Sequence, residues 1–185
     1  MRPHWHQGFT LIEMIIAIAV AAILVAIAVP SFLAQIDKNQ VKSAADELYA
    51  QLQFARSEAV KRNRTVRVYF KKVNADGTQW CYGLKVNAAC NCQQTDDTAV
   101  DYCEIDGVRK SVSNGDHNSI TIANGTDPFG GVVSFNPMHG TAAAGNAEFE
   151  SGGGRKIRVT VSNLGRIRLC SPTGTGNILD YPQCP

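Results

Sequence analysis

The 185-residue chain carries 18 Lys and Arg against 16 Asp and Glu, a net charge of +2, with 44% apolar residues. Its 18% charged content and ordinary Gly and Pro counts of 16 and 7 exclude a disordered tail protein, a collagen and a charge-laced coiled coil. One domain of common size is expected. The small net charge hides a segregation: Asp96, Asp97, Asp101, Glu104, Asp106 and Asp116 crowd the middle, whereas residues 151–179 hold five cations and no acid.

The first element is apolar. Residues 14–29 contain no polar side chain, and the twenty-one residues 9–29 reach across a hydrocarbon core of ~30 Å at about 1.5 Å per residue. A single membrane span is expected over residues 9–30. Arg2 and the free amine before it keep the amino terminus cytoplasmic and send residues 31–185 through the inner membrane. Glu13 interrupts this segment, where a carboxylate costs roughly 2.5–3.5 kcal/mol and calls for a partner. Near a helix start, the dipole and the headgroups also tolerate an acid.

The string Gly8-Phe9-Thr10-Leu11-Ile12-Glu13 resembles the prepilin signature of type IV pilins and type II secretion pseudopilins. The resemblance implies a leader of residues 1–8, cleavage after Gly8 by a prepilin peptidase, and methylation of the new terminus at Phe9. It also implies that Glu13 faces the Phe9 amine of a neighbouring pilin during assembly. Two charges that are each costly in lipid then neutralise one another. A competing segmentation places an ordinary secretory cleavage at Ala26-Ile27-Ala28. The acid inside the apolar segment and Pro30 just beyond argue against it.

Pro30 removes one backbone donor and is expected to kink the helix. Beyond it Val41, Ala45, Leu48, Leu52, Ala55 and Ala59 form an apolar stripe on a helix running to about Asn63. Lys42, Asp46, Glu47, Gln53, Glu58 and Arg62 fall on the opposite face. Strands are expected over residues 65–71, 80–87, 119–123, 132–135, 156–162 and 166–170. Asp76-Gly77, Asn124-Gly125, Gly130-Gly131 and Gly152-Gly153-Gly154 punctuate them. Residues 127–146, rich in Gly and Ala, read largely as a long loop. The pattern is α+β, a long helix packed on antiparallel sheet, and the resemblance implies the pilin fold.

Cys81, Cys90, Cys92, Cys103, Cys170 and Cys184 all lie in the exported part, which favours disulfides. Zinc knuckles are not spelled: no paired C-x2-C occurs, and no His stands among the four central cysteines. Cys170–Cys184 would tie the tail to the last strand. The central four leave Cys81–Cys90 with Cys92–Cys103, the preferred arrangement, or Cys81–Cys92 with Cys90–Cys103.

Residues 156–162 and 166–170 flank Asn163-Leu164-Gly165, a three-residue loop that suits a type I turn closed by a left-handed glycine. This choice sets Val161 opposite Ile167 and Thr160 opposite Arg168. Ile157, Val159, Val161, Ile167 and Leu169 then face the core, while Lys156, Arg158, Arg166 and Arg168 share the solvent face. Like charges at that spacing repel by a few tenths of a kcal/mol each, and phosphate is the natural partner. The segment Phe135-x-Pro137-x-x-Gly140, with Gly165-Arg166-Ile167-Arg168, resembles the end of the FimT/GspH-type minor pilin domain. DNA-uptake members of that family carry a Gly-Arg-x-Arg element that binds DNA, matched here by residues 165–168.

The resemblance thus implies a minor pilin of a Gram-negative bacterium, displayed at the pilus or cell surface, that contacts other pilins and the DNA phosphate backbone. No base-reading element is spelled, so four neutralised phosphates would give a salt slope of roughly −3 to −4. A structural pseudopilin of type II secretion without DNA binding is the alternative. A second basic stretch, Lys61, Arg62, Arg64, Arg67, Lys71 and Lys72, fits a solvated helix end better than a phosphate track. No cofactor, metal or catalytic constellation is spelled: His117 and His139 lie apart from any nucleophile motif.

Overall fold

The computed structural model describes residues 9–123 and 127–184, apart from the side chain of Pro30. Gly8 and the Asn124-Gly125 turn lie outside the described residues. The chain divides into two units, one ending at Ile36 and the other spanning Asp37–Pro185.

Helix α1 (Leu11–Arg62) is 52 residues long and continues through position 30. Thr10 and Glu13 have capping-box spacing, and the Glu13 N–H donates to Thr10 Oγ1 at 3.3 Å. In the first unit Leu11, Ile15, Ile18, Leu24 and Ile27 are all exposed. An 18-residue window of this helix has a mean hydropathy of 2.9. A helix apolar on every side needs an apolar surrounding, and such a helix satisfies its own backbone there.

Within the second unit, the expected stripe Val41, Ala45, Leu48, Leu52, Ala55 and Ala59 is fully buried. Glu58 departs from its expected polar face and is buried between Lys61 and Arg62, at 2.7 and 2.6 Å.

The stripe packs in one core with two antiparallel sheets. The first has the order β5 (Ser111–Ser113), β2 (Trp80–Val86), β1 (Val66–Lys72), β7 (Val132–Phe135). The second runs β10 (Ile167–Cys170), β9 (Lys156–Val161), β8 (Gly145–Ser151), β6 (Ile120–Ile122). A ribbon of β3 (Glu104–Ile105) and β4 (Val108–Arg109) lies in the acidic insert. Period-two alternation sends Val66, Val68 and Phe70, and likewise Ile157, Val159 and Val161, inward.

β8 was not expected. Gly145, Asn146 and Ala147 have low strand propensity, yet Ala147, Phe149 and Ser151 are buried in alternation while Glu148 and Glu150 face outward. The strand exists because β9 offers it a six-pair ladder, Gly145↔Val161 through Glu150↔Lys156.

Cys170–Cys184 is formed, and Ser171 pairs with Gln183 beside it. The central cysteines pair as Cys81–Cys92 and Cys90–Cys103, which corrects the preferred Cys81–Cys90 and Cys92–Cys103. The reason lies on β2, where Cys81 and Gly83 share a face. Cys103 packs over Gly83 so closely that a methyl there would come within 2.3 Å of its Sγ. That seat places Cys103 beside Cys81 without bonding it, and the insert crosses over to join each to the other side of the loop.

Candidate functional site

The site is built on the β9–β10 hairpin. Ser162 N–H donates to the Arg166 carbonyl at 3.0 Å and Gly165 N–H to the Ser162 carbonyl at 2.8 Å. Gly165 has φ 69°, the left-handed conformation that a three-residue loop requires. A methyl at this position would also come within 1.8 Å of the Gly140 carbonyl oxygen. The register is Ile167↔Val161, Arg168↔Thr160, Leu169↔Val159 and Cys170↔Arg158. Ile157, Val159, Val161 and Ile167 are buried and Leu169 is half-buried.

The four cations of the solvent face divide into two pairs. Arg158 donates from Nε and Nη2 to Glu148 Oε2, at 2.9 and 2.6 Å. Lys156 Nζ stands 3.2 Å from Glu150 and 3.9 Å from Glu148. Both cations are half-buried and neutralised, which corrects the expectation of an acid-free face carrying all four. The cause is β8, whose Glu148↔Arg158 and Glu150↔Lys156 pairings put carboxylates directly opposite.

Arg166 and Arg168 stand differently. Both are exposed, Arg168 on the edge strand β10, which has β9 on one side only, and Arg166 directly before that strand. Among the described residues neither side chain takes an ion pair or hydrogen bond. They flank a groove of about 450 Å³ whose other walls include Leu164, Leu169, Pro182 and Gln183. The disulfide-tied tail supplies the last two. This arrangement offers two unneutralised guanidinium forks above a partly apolar floor, able to donate hydrogen bonds to phosphate oxygens.

In the second basic stretch Lys61 and Arg62 are ion-paired, both with Glu58. Arg62 also reaches Asp106 of the insert, its Nη1 donating to Oδ1 at 2.8 Å. The side-chain hydrogen bonds from Lys61 and Arg62 hold the Glu58 carboxyl below the usual carboxylate range, and those from Arg62 do the same to Asp106. The Arg62 guanidinium is correspondingly harder to deprotonate. Arg67 donates to the Asn87 carbonyl at 3.3 Å, while Arg64 and Lys71 are exposed. His117, expected in an idle loop, has its Nε2 2.6 Å from Glu47 Oε2 and stacks on Trp80.

At the other end, Phe9 is 80% exposed and Glu13 lies in the first turn of α1. Sequence reasoning passed over Arg56 of α1, which sits one turn beyond Leu52 at the border of the buried stripe. Its Nε would lie 2.9 Å from a methyl at Gly140 and 3.4 Å from one at Gly165. The flanking position one turn after a core leucine was the available signal.

A family model described as Type II transport protein GspH matches residues 44–165, and one described as the prokaryotic N-terminal methylation motif matches residues 6–29. The first match ends at Gly165, directly before Arg166. Among solved structures, the type IV minor pilin FimU of Pseudomonas aeruginosa (strain PAO1) in its P21 crystal form is 22% identical, covering 71% of this chain and 89% of its own, with a TM-score of 0.47. Its P65 form is also 22% identical, with 69% and 90% covered and a TM-score of 0.44. The minor pseudopilin EpsH of the type 2 secretion system of Vibrio cholerae is 15% identical, covering 73% of this chain and 99% of its own, with a TM-score of 0.46. No curated protein matches the chain. A GspH-type domain over more than half of the sequence, carried behind a methylation motif and a helix long and apolar enough to cross a membrane, places this protein in the family of type IV minor pilins and pseudopilins.

Proposed function

We propose that this protein is a minor type IV pilin that binds extracellular DNA without sequence preference and supports DNA uptake in natural transformation. Arg166 and Arg168 donate to phosphate oxygens, and Gly165 shapes the turn that presents them. Prepilin peptidase cleaves after Gly8 and Phe9 becomes the methylated terminus. Glu13 sets register against neighbouring pilins as the protein leaves the inner membrane for a filament at the cell surface.

The observation that carries DNA binding is the selective lack of counter-charge. Lys156 and Arg158 each face a carboxylate, whereas Arg166 and Arg168 face none among the described residues. Two like charges on one exposed edge are a small loss of stability unless a polyanion uses them. No recognition helix enters a groove, so contacts fall on the backbone and affinity tracks salt. With Lys156 and Arg158 neutralised, the two free arginines contribute roughly −2 to the slope of log K against log salt, in place of the −3 to −4 of four cations.

Gel shifts of the full chain in detergent micelles, wild type against Arg166→Gln with Arg168→Gln, test the assignment. Loss of the shifted band in the double variant is expected, and an unchanged band removes the site. A structural role in a type II secretion pseudopilus is the second reading, favoured by the family description itself. It predicts no shifted band for either protein.

A further inference from the structure

We infer that Arg56 of α1 is a third cation of the phosphate-binding site, serving the tip of the hairpin beyond Arg166 and Arg168. This rests on the DNA-binding function proposed above and adds a residue from a different element to it. Arg56 lies 110 positions before Arg166 in the chain, yet its Nε packs against Gly140 and Gly165, the residue directly preceding Arg166. Both glycines have positive φ, 62° and 69°. The bare Cα of Gly140 leaves the space that the arginine stem occupies, and that of Gly165 leaves the space that the Gly140 carbonyl occupies.

The charge environment gives the second argument. Half-burying a guanidinium sacrifices hydration, and the loss is ordinarily made good by a partner. Elsewhere in this molecule it is. Lys38 pairs with Asp180, Arg62 with Glu58 and Asp106, and Lys85 donates to the Val100 and Tyr102 carbonyls. Lys110 lies over the Phe54 ring, and Lys156 and Arg158 hold Glu150 and Glu148. Arg56 is half-buried, and among the described residues it takes no ion pair and no hydrogen bond. It therefore joins Arg166 and Arg168 in lacking a counter-charge, and it borders Gly165, the turn residue directly before Arg166. A phosphodiester oxygen at the tip supplies the missing acceptor, and the rigid helix fixes where that oxygen sits.

The experiment is fluorescence anisotropy of the full chain in detergent micelles with a labelled duplex of random sequence, the dissociation constant being measured across a salt series. Arg56→Gln is expected to weaken binding severalfold and to make the salt slope shallower by about 0.9. Arg56→Lys, which keeps the charge, is expected to restore the slope. Should the glutamine variant fail to fold by circular dichroism, Arg56→Met takes its place, since its long apolar stem preserves the packing. An unchanged constant and slope overturn the assignment. So does weaker binding at unchanged slope without rescue by lysine, which marks a packing role. Failure of the underlying function looks different: the wild type does not bind, or Arg166→Gln with Arg168→Gln binds as the wild type does.

Discussion

Gly165 is held by two independent constraints, a positive φ and the Gly140 carbonyl packed where a Cβ would stand. Gly165→Ala is therefore expected to destabilise by more than the ~1 kcal/mol of an ordinary glycine replacement, read as a lowered melting temperature. DNA binding should weaken with it, because the turn aims Arg166. The carboxylates beside the site give a prediction of opposite sign. Glu148→Gln frees Arg158 from its partner and leaves Lys156 with Glu150 alone, so DNA affinity should rise and the salt slope steepen by up to about 0.9. An anisotropy titration showing equal or weaker binding would mean that β9 does not border the DNA path. The hairpin register and the two exposed arginines were legible because alternation and loop length are properties of adjacent residues. The neutralisation of Lys156 and Arg158 was not, because Glu148 and Glu150 belong to a strand without strand-like composition at its start.

At the scale of elements, the long helix is joined to the acidic insert by Glu58, Lys61, Arg62 and Asp106. Both carboxyls are depressed by hydrogen bonds from these cations. A depressed carboxylate contributes stability that is complete above its ordinary pKa of about 4 and is lost as pH falls through the lowered value. The melting temperature should thus fall on acidification below about pH 5. Arg62→Gln should melt lower than wild type at pH 7, with the gap closing toward pH 3. A constant gap across that range would contradict the linkage. The tail is an element of its own, closed by Cys170–Cys184 at a separation of 14 residues. Replacing both cysteines by serine should cost roughly 3 kcal/mol in denaturant unfolding. It should also loosen the Pro182–Gln183 wall of the groove. This bridge was readable from a lone pair of cysteines at the end of the chain. The central crossing was decided by Cys103 seating on Gly83, a contact between elements that spacing alone does not encode.

For the whole molecule, the apolar first unit has the length and composition to cross a membrane, and under the proposed function the second unit presents the DNA-binding surface. Glu13→Gln should leave the protein in the membrane fraction and reduce its share in sheared filaments, measured by immunoblot. Equal incorporation would remove Glu13 from assembly. The α+β architecture was legible throughout, since the stripe from Val41 to Ala59 and the alternating strands are periodic signals. What stayed hidden were meetings between distant segments, Arg56 with Gly165 and Glu148 with Arg158, which only the tertiary fold creates. The central claim is that Arg166 and Arg168 carry the phosphate contacts, and the salt dependence of DNA binding measures it most directly. With Arg56 as a third contact the wild-type slope is expected at roughly −2.7, becoming shallower by about 1.8 when Arg166 and Arg168 both become glutamine; a double variant that keeps both the wild-type slope and affinity would contradict it.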